Sequence, residues 1–359
     1  MIAFDDVYKN RRVLLTGHTG FKGSWLALWL KSLGAKITGL ALTPNTTPSH
    51  WDLLGLDIDD RRVDIRDFKA VADVVNFSSP EIIFHLAAQP LVGRSYNNPL
   101  ETWSTNVIGT TNILEACRRK SDVLAIIVVT TDKCYENQEK ELGYREDDRL
   151  GGRDPYSASK ASAELVTSSY RDSFFSTQGG PLLASARAGN VIGGGDWSEN
   201  RLIPDLVRAI TDEALLKVRY PNATRPWQHV LEPLSGYLCL GKKLIEGKKE
   251  FAEAWNFGPD DSNNHTVEMI LASLKKNWSS VDWQTIDSPQ HYEANFLRLN
   301  SDKANQRLDW RPVWSFEEGV AATVEWYKAN LGRGKALSLY QLQAYQTVAY
   351  QLGLKWISK

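Results

Sequence analysis

The chain has 359 residues, which exceeds the size at which one hydrophobic core usually stops growing, so we predict two domains. Lysine and arginine number 42 against 43 aspartates and glutamates, and this balance excludes a strong field for nucleic acid or an anionic membrane. Cys117, Cys134 and Cys239 lie far apart, with neither metal-site nor disulfide spacing. No apolar run approaches membrane-spanning length and no signal-peptide core precedes the first strand. We therefore predict a cytoplasmic protein without a metal site that acts on a small molecule.

Short β-branched runs alternate with longer helical patterns through the first half of the chain. Strands are predicted at 13–15, 35–42, 82–85, 124–130 and 182–187, and helices at 24–33, 68–76, 106–120 and 156–174. Strands that alternate with helices are typical of a parallel sheet, so the predicted fold class is α/β with a doubly wound, Rossmann-type sheet.

After three consecutive glycines at 193–195 the alternation loosens into a helix at 201–211 and proline-rich turns. Apolar runs at 230–244 and 255–257 are predicted to return to the first sheet. We therefore expect a Rossmann domain from residues 1–187 plus about 230–258. A smaller, discontinuous α/β substrate domain is expected from about 188–229 plus 259–359.

The first strand ends in a G-x-x-G-x-x-G turn formed by Gly17, Gly20 and Gly23, and a helix follows directly. Glycine is favoured there because the chain turns sharply, its backbone approaches a pyrophosphate, and the helix packs closely on the strand. An ordinary glycine turn is the alternative, but the strand before it and the helix after it favour dinucleotide binding.

The residues after the second and third strands bear on the cofactor. An acid that binds the ribose is expected about 20 residues beyond the turn, but Thr43 occupies that region. A threonine hydroxyl can bond the ribose, and the sequence places no arginine nearby for a 2′-phosphate, so NAD is favoured over NADP. Asp64 and Ile65 are predicted to hold the adenine, although an ordinary turn aspartate explains Asp64 equally well.

Tyr156 and Lys160 are four residues apart at the start of a helix, so their side chains share one face. A tyrosine titrates at about 10 and is a poor base near neutrality unless a cation stabilises its phenolate. A surface pair at helical spacing is the alternative. The glycine turn upstream favours a catalytic pair.

Thr131, Asp132 and Lys133 follow the strand predicted at 124–130. Ligands of doubly wound sheets bind at the carboxyl ends of the strands, so reactive groups are expected there. Thr131 is suited to bond a substrate hydroxyl, while the next two residues place an acid beside a base. The alternative is an exposed turn with two opposite charges.

Together these motifs resemble the extended short-chain dehydrogenase/reductase family, and within it the sugar-nucleotide 4,6-dehydratases. The matching blocks are TGHTGFKGSW (16–25), FHLAAQPLV (84–92), STNVIGT (104–110), TDKCY (131–135), DPYSASK (154–160), RAGNVIGGGDW (187–197) and RPWQHVLEPLSGY (225–237). Enzymes of this family that act on dTDP-glucose carry Thr-Asp-Glu at the strand end. The lysine at position 133 is instead similar to the branch that acts on CDP-glucose.

The resemblance implies a role for each residue of the strand end and the helix start. Tyr156 removes the proton of the glucose C4 hydroxyl, which Thr131 orients, while a hydride passes from C4 to tightly bound NAD. Lys133 then takes the C5 proton and Asp132 protonates the departing C6 hydroxyl. The hydride returns to C6, which gives a 4-keto-6-deoxy sugar without net redox change.

The resemblance also implies the residues that hold the two ligands. The implied NAD-binding residues are Gly17, Thr19, Gly20, Phe21, Lys22, Gly23, Asp64, Ile65, Leu86, Ala87, Ala88, Gln89, Asn106, Thr130, Tyr156 and Lys160. The implied nucleotide-sugar residues are Thr131, Asn190, Arg201, Arg225 and Glu293. Trp227 or Phe257 is a candidate to stack on the base, with core packing as the competing interpretation, and His85 is expected to be structural.

Three other functions stay open at this point. The first is a dehydratase for GDP- or dTDP-sugars, and the second is a 4-epimerase, which needs no acid and base at C5 and C6. The third is a non-enzymatic NAD-binding protein, because a fold does not dictate a function. The resemblance further implies a homodimer or homotetramer and a place in deoxysugar synthesis for a surface polysaccharide such as O-antigen.

Overall fold

The computed structural model describes residues 1–140, 142–176, 180–259, 264–286, 297–331 and 337–359, so Glu293 lies outside the described residues. The strands are β1 (Ile2–Ala3), β2 (Arg12–Thr16), β3 (Lys36–Ala41), β4 (Asp59–Arg62), β5 (Ile82–His85), β6 (Ala125–Val129), β7 (Leu182–Ala188), β8 (Val191–Ile192), β9 (Leu216–Val218), β10 (Thr224–Pro226), β11 (Gln228–His229), β12 (Ala254–Phe257), β13 (Asn264–Thr266), β14 (Trp283–Thr285) and β15 (Ile357–Ser358). The helices are α1 (Phe21–Ser32), α2 (His50–Leu54), α3 (Phe68–Ser78), α4 (Val92–Asn97), α5 (Pro99–Trp103), α6 (Gly109–Cys117), α7 (Pro155–Tyr170), α8 (Leu202–Thr211), α9 (Leu231–Ile245), α10 (Val267–Asn277), α11 (Asp302–Arg307), α12 (Phe316–Leu331) and α13 (Ser338–Gln351).

Seven strands form one parallel sheet in the order β12-β7-β6-β5-β2-β3-β4. All residues of β5 and β6 are buried, as expected for parallel strands with both faces covered. The chain order reverses beside β2, which has β3 on one side and β5 on the other. The predicted doubly wound α/β fold is confirmed, and this reversal is the point at which such sheets open a crevice for a ligand.

Successive side chains of the central strands enter opposite cores. Val13 and Leu15 pack with residues of α1 and α9, whereas Leu14 between them packs with residues of α3 and α6. This alternation is the two-residue period of a strand. It places the α1 face and the α3 face on opposite sides of the sheet.

The predicted elements match the structure within about three residues, with two differences. The helix predicted at 106–120 begins earlier, because α5 runs through a π turn at Ser104–Ile108 into α6. The helix predicted at 156–174 consists of α7 followed by a second π turn, Arg171–Phe175. The run at 255–257 returns to the main sheet as predicted, since β12 pairs with β7.

The remaining strands pair two by two outside the main sheet. β8 pairs with β11 and β9 with β14 in parallel, and β10 pairs with β13 in antiparallel fashion. The chain ends meet where β1 pairs with β15, and the ring of Phe4 stacks on Trp356 with centroids 5.0 Å apart. Within the described ranges no helix has the length and apolar character needed to cross a membrane.

Candidate active site

A cleft of about 1480 Å³ opens at the carboxyl ends of the main strands, beside the reversal of chain order at β2. Its walls come from the glycine turn, the ends of β3, β5 and β6, the start of α7, and the loop after β7. Most of the predicted ligand-binding residues line this cleft: Gly17, Thr19, Gly20, Phe21, Lys22, Gly23, Asp64, Ile65, Leu86, Ala87, Ala88, Gln89, Thr130, Thr131, Tyr156, Lys160, Asn190, Arg201 and Arg225.

Different physical constraints favour glycine at each of the three positions of the turn. Gly17 has a φ of 74°, and a Cβ there would lie 2.7 Å from the backbone nitrogen of Ala87. A Cβ on Gly23 would lie 2.0 Å from the carbonyl oxygen of Gly17. A Cβ on Gly20, the N-cap of α1, would meet only that oxygen among the described residues, at 3.4 Å, so the open side of Gly20 faces the cleft. This turn at a helix N-terminus fits a pyrophosphate.

Basic side chains converge near this turn. Burial, together with the charges of Arg201, Lys160 and Lys133, lowers the pKa of Lys22 to about 7, while the charge of Asp132 opposes this shift. A cation next to other cations favours its neutral form. The phosphates of a nucleotide would relieve this repulsion, so the charge distribution fits anionic ligands.

The corner after β3 differs from the sequence-based expectation. Thr43 lines the cleft, and an arginine that is distant in sequence lies beside this corner. Arg62, at the end of β4, donates from Nη1 to the carbonyl oxygen of Leu42 at 3.0 Å and pairs with Asp60 at 2.6 Å. Sequence distance hid this contact, because β3 and β4 are neighbours only in the folded sheet.

The predicted adenine pair also lies at this side of the cleft. The carboxylate of Asp64 is held by the guanidinium of Arg66, with the shorter contact at 2.6 Å, and this bond lowers the pKa of Asp64. Ile65 is buried beneath it. The adenine-binding roles of Asp64 and Ile65 stay predictions, and any amine that approaches Asp64 meets a carboxylate already paired with Arg66.

The start of α7 presents Tyr156 and Lys160 to the cleft. Asp154 caps the helix by accepting from the backbone N–H of Ser157 at 2.9 Å, and Pro155 follows at the first helical position. Burial raises the pKa of Tyr156 to about 12, opposed by its hydrogen bond with Thr131. Burial lowers the pKa of Lys160 to about 8, opposed by the charge of Glu164.

Thr131, Asp132 and Lys133 form a short turn directly after β6. Thr131 Oγ1 donates to Asp132 Oδ1 at 2.9 Å and accepts from the backbone N–H of Lys133 at 3.3 Å. Lys133 Nζ lies 3.7 Å from Asp132 Oδ1 and 3.4 Å from Asn190 Oδ1. Lys133 lines the cleft, whereas Asp132 is enclosed behind it.

The second carboxylate oxygen of Asp132 is buried and has no hydrogen-bond partner among the described residues. A Cβ on Gly189 would lie 3.0 Å from this oxygen, so glycine keeps the space beside it open. Buried polar atoms are rarely left without partners, and exceptions often mark functional groups. A substrate hydroxyl that reached Asp132 would supply the missing partner.

A buried ion pair that sequence reasoning missed lies beneath helix α7. Glu164 Oε2 accepts from Arg187 Nη2 at 2.8 Å and from Ser185 Oγ at 2.6 Å, and Thr130 also donates to this carboxylate. Arg187 reaches the hydroxyl of Tyr135 at 2.7 Å. The pair therefore joins β6, β7 and α7 under the site. Its signal in the sequence was the acid four residues after Lys160, on the same helix face.

The predicted nucleotide-sugar residues lie on the opposite wall. Arg201 Nη1 pairs with Asp196 Oδ2 at 2.9 Å, and Arg225, which is buried, donates to the carbonyl oxygen of Thr224 at 2.8 Å. Trp227 lines the cleft, whereas Phe257 is fully buried in the core. Core packing is therefore the correct interpretation for Phe257, and a role in stacking stays open for Trp227.

Two further candidates support the cleft from behind. Asn106 is buried and does not line the cleft: its Oδ1 accepts from Gln89 N at 2.8 Å, and its Nδ2 donates to Ser159 Oγ at 2.8 Å. His85 lies between Thr16 Oγ1 at 2.7 Å and Thr110 Oγ1 at 3.0 Å, and burial lowers its pKa to about 3. His85 is structural, as predicted.

The three cysteines are free and buried. Among the described residues no cluster of histidine, cysteine, aspartate and glutamate has the arrangement of a metal site.

A family model described as GDP-mannose 4,6-dehydratase matches residues 14–323. The chain belongs to this family. A relative from Salmonella typhimurium named CDP-glucose 4,6-dehydratase is 46% identical over 329 residues, with 90% of this chain and 92% of the relative covered. A dTDP-glucose 4,6-dehydratase from Xanthomonas campestris is 27% identical, with 88% and 93% covered. The resemblance to the sugar-nucleotide 4,6-dehydratases is therefore confirmed.

Solved structures of members of this fold superimpose over most of the dehydratase-family chain. An epimerase from Methanothermobacter thermautotrophicus has a TM-score of 0.80 and 24% identity, with 92% of this chain and 96% of that chain covered. The dTDP-glucose 4,6-dehydratase from Bacillus anthracis, solved in complex with NAD, has a TM-score of 0.74 and 22% identity, with 90% and 99% covered. At these identities the structures bear on the fold alone.

Proposed function

We propose that the chain is a CDP-glucose 4,6-dehydratase, a hydro-lyase that converts CDP-glucose to CDP-4-keto-6-deoxyglucose and water. The observation that carries this proposal is the turn after β6, where Lys133 lies 3.7 Å from Asp132 in the cleft that also receives Tyr156 and Lys160. A base and an acid side by side suit an elimination. The relative named CDP-glucose 4,6-dehydratase supports the same substrate.

The proposed cofactor is NAD, which, when bound, accepts a hydride from C4 and returns it to C6. Gly17, Gly20 and Gly23 would hold its pyrophosphate, since the open side of Gly20 leaves a cradle that a Cβ would fill. Lys160 would bond the ribose of the nicotinamide half. Recycling of the hydride within each turnover requires the cofactor to stay bound.

Tyr156 is proposed to remove the C4 hydroxyl proton. Its own proton is held tightly, because burial raises its pKa to about 12. The hydrogen bond with Thr131 and the positive charge of Arg201 lower this pKa and so favour the phenolate. Thr131 would orient the same C4 oxygen.

Lys133 and Asp132 are proposed to carry out the elimination. Once C4 is a ketone, the C5 proton is acidic, and Lys133 would remove it from the cleft side. Asp132, whose second oxygen meets no hydrogen-bond partner in the described part of the chain, would deliver a proton to the departing C6 hydroxyl. One C–H and one C–O bond break, a C5–C6 double bond forms, and water leaves.

The alternatives predict other outcomes. A 4-epimerase would not require Lys133 and Asp132 at the strand end, and a non-enzymatic NAD-binding protein would not require Tyr156 in the cleft. A dehydratase for GDP- or dTDP-glucose would share the mechanism, so the nucleotide must be tested directly. The rest of the cleft, including Asn190, Arg201 and Arg225, is proposed to bind the nucleotide sugar.

A substrate labelled with deuterium at C4 tests the mechanism. We expect incubation with CDP-[4-²H]glucose and NAD to give a product that has lost water and carries the deuterium at C6. Tyr156→Phe is the matched control and should leave the label in place. Deuterium that returns to C4 without loss of water would support an epimerase and contradict the proposal.

The pH dependence of turnover should follow Lys160. Its ammonium is fully present below a pKa of about 8 and is lost as the pH rises through that value, so kcat/KM should fall on the alkaline side. The carboxylate of Glu164 raises this pKa, and Glu164→Gln would also leave the charge of Arg187 without its partner. We therefore expect the alkaline limb of the pH–rate profile of E164Q to move to lower pH. An unchanged limb in folded E164Q would contradict this assignment.

We propose that two copies associate through α5, the following π turn and α7. This face exposes Leu100 (84%), Ile108 (52%) and Leu165 (60%) to solvent. Leu165→Asp should shift sedimentation towards the monomer, whereas Phe77→Asp, on the α3 face, should not. Equal sedimentation of L165D and the wild type would contradict a dimer or tetramer built on this face.

We further propose that residues 1–187 and about 230–258 form the NAD-binding domain and that about 188–229 and 259–359 form the nucleotide-sugar domain. The pairing of β12 with β7 supports the return of the chain to the first domain. The proposed location is the cytoplasm. The proposed product, a 4-keto-6-deoxy sugar, suits deoxysugar synthesis for a surface polysaccharide such as O-antigen.

A further inference from the structure

A buried chain of hydrogen bonds joins helix α13 to the glycine turn. Trp326 Nε1 donates to Ser338 Oγ at 2.9 Å, and Ser338 Oγ lies 2.7 Å from His50 Nε2. The other ring nitrogen, His50 Nδ1, lies 2.7 Å from Ser24 Oγ, which donates to the carbonyl oxygen of Phe21 at 2.9 Å. This chain of hydrogen bonds therefore starts in the C-terminal region of the protein and ends at Phe21, a residue of the turn that lines the cleft.

The hydrogen bonds have one consistent direction. The hydroxyl proton of Ser24 is used on Phe21, so Ser24 Oγ accepts from the N–H at Nδ1 of His50. A neutral imidazole with its proton on Nδ1 accepts at Nε2, so the hydroxyl of Ser338 donates there. Burial lowers the pKa of His50 to about 3, which keeps the ring neutral. Loss of any one member leaves a buried donor or acceptor without its partner.

The rings in this chain also support the three-glycine loop at residues 193–195. The ring of His50 stacks on Trp25 at 5.0 Å, and Trp25 Nε1 donates to the carbonyl oxygen of Gly194 at 2.9 Å. A Cβ on Gly195 would lie 2.5 Å from the His50 ring, and one on Gly194 would lie 1.9 Å from Trp326. Glycine is required here because two aromatic rings approach the backbone closely.

The loop and the turn are thus held by the same side chains. The loop follows Asn190, which lines the cleft 3.4 Å from Lys133. A Cβ on Gly193 would lie 3.4 Å from the ring of Phe21, so the loop also packs against the turn directly. The residues of the hydrogen-bond chain belong to α1, α2, α12 and α13. Of these four helices, only α13 lies wholly outside residues 14–323, the range that the family model matches.

We propose that His50 and Ser338 are positioning residues that fix the glycine turn and the three-glycine loop relative to each other, so that Ser338 links helix α13 to the dinucleotide site from a distance. The inference rests on the proposed function only in taking NAD as that dinucleotide. It assigns no contact between either residue and a reacting atom.

Ser338→Ala tests the inference, with Gln341→Ala as its matched control. Gln341 is on the same helix, is buried, and donates to the carbonyl oxygen of Ala322 at 2.7 Å. It takes no part in the hydrogen bonds that link Ser338 to His50. For wild type and both variants, the dissociation constant of NAD is measured by titration calorimetry, alongside Tm, kcat and the KM for CDP-glucose. We expect S338A to weaken NAD binding roughly tenfold, with kcat at saturation within about twofold of wild type. Q341A should lower Tm to a similar extent but bind NAD as wild type does.

Wild-type affinity for NAD in S338A would overturn the inference, and so would losses of affinity in both variants that simply follow their losses of Tm. If S338A does not fold, His50→Gln and His50→Leu decide. The glutamine amide offers one donor and one acceptor and should retain affinity, whereas leucine should lose it. Equal affinity in these two variants overturns the inference. A wild-type chain that binds no NAD overturns both this inference and the proposed cofactor.

Discussion

Tyr156→Phe should lower kcat for loss of water from CDP-glucose by roughly 10³-fold or more, within the range for removal of a general base. The phenol lies in the cleft and is hydrogen-bonded to Thr131 at the end of β6. Phenylalanine keeps the ring and its packing but removes the only oxygen that this side chain offers to the C4 hydroxyl. The KM for CDP-glucose should change little, because the hydroxyl acts on the reacting bond.

Tyr237→Phe is the control for this substitution. Tyr237 is fully buried near Tyr156 and does not line the cleft, and its hydroxyl has no hydrogen-bond partner among the residues that the structure describes. Tyr237→Phe therefore removes the same atom without loss of a hydrogen bond, and the kcat of this variant should stay within about twofold of wild type. A Y156F enzyme with more than a tenth of wild-type turnover would contradict the assignment of Tyr156 as the base at C4.

Lys133→Met should stop exchange of the C5 proton with solvent and lower the rate of water loss by about 10²- to 10⁴-fold. Lys133 presents its Nζ to the cleft, whereas its neighbour Asp132 is enclosed. The position therefore suits a group that meets the substrate directly. Oxidation at C4 depends on Tyr156 and Lys160 and should persist. The measurement is incorporation of deuterium at C5 in D₂O, followed by mass spectrometry.

Lys133→Arg separates a base from a fixed positive charge. Arginine keeps the cation beside Asp132 but does not lose its proton near neutral pH. If Lys133 is the base, K133R should be as defective as K133M in C5 exchange. Near wild-type water loss in K133M would remove Lys133 from the base role, and full activity in K133R would show that only its charge is needed.

The sequence predicts those parts of the site whose residues lie only a few positions apart along the chain. The glycines of the turn are three residues apart, and Tyr156 and Lys160 are four apart on one helix, so period and propensity place them. The parallel sheet follows from the alternation of strands and helices, and the ends of its strands define the cleft. These features need no knowledge of distant contacts.

The parts that the sequence did not predict depend on residues that meet only in the folded chain. His50 and Ser338 are 288 positions apart, and Tyr135 and Asn256 beneath the site are 121 apart. Arg62 reaches the carbonyl of Leu42 because β3 and β4 pair in register. Asn106 was predicted to bind the cofactor, but its amide groups are used on Gln89 and Ser159. No local pattern reveals these partners.

The tryptophan content illustrates the same point. Trp25 donates a hydrogen bond to the three-glycine loop, and Trp326 donates one to Ser338. Trp29 packs against Tyr345 of α13 with ring centroids 5.8 Å apart. Large aromatic rings ordinarily fill protein cores. The additional polar contacts of their ring nitrogens became visible only with the fold.

The most direct test of the proposed function is the choice of nucleotide sugar. The purified chain is incubated with NAD and, separately, with CDP-, dTDP-, GDP- and UDP-glucose, and each mixture is analysed by mass spectrometry for loss of one water. We predict that CDP-glucose loses water and that its kcat/KM exceeds those of the other three substrates by at least about tenfold, a difference of ~1.4 kcal/mol in transition-state binding. Loss of water from another nucleotide sugar in preference to CDP-glucose, or from none of the four, would contradict it.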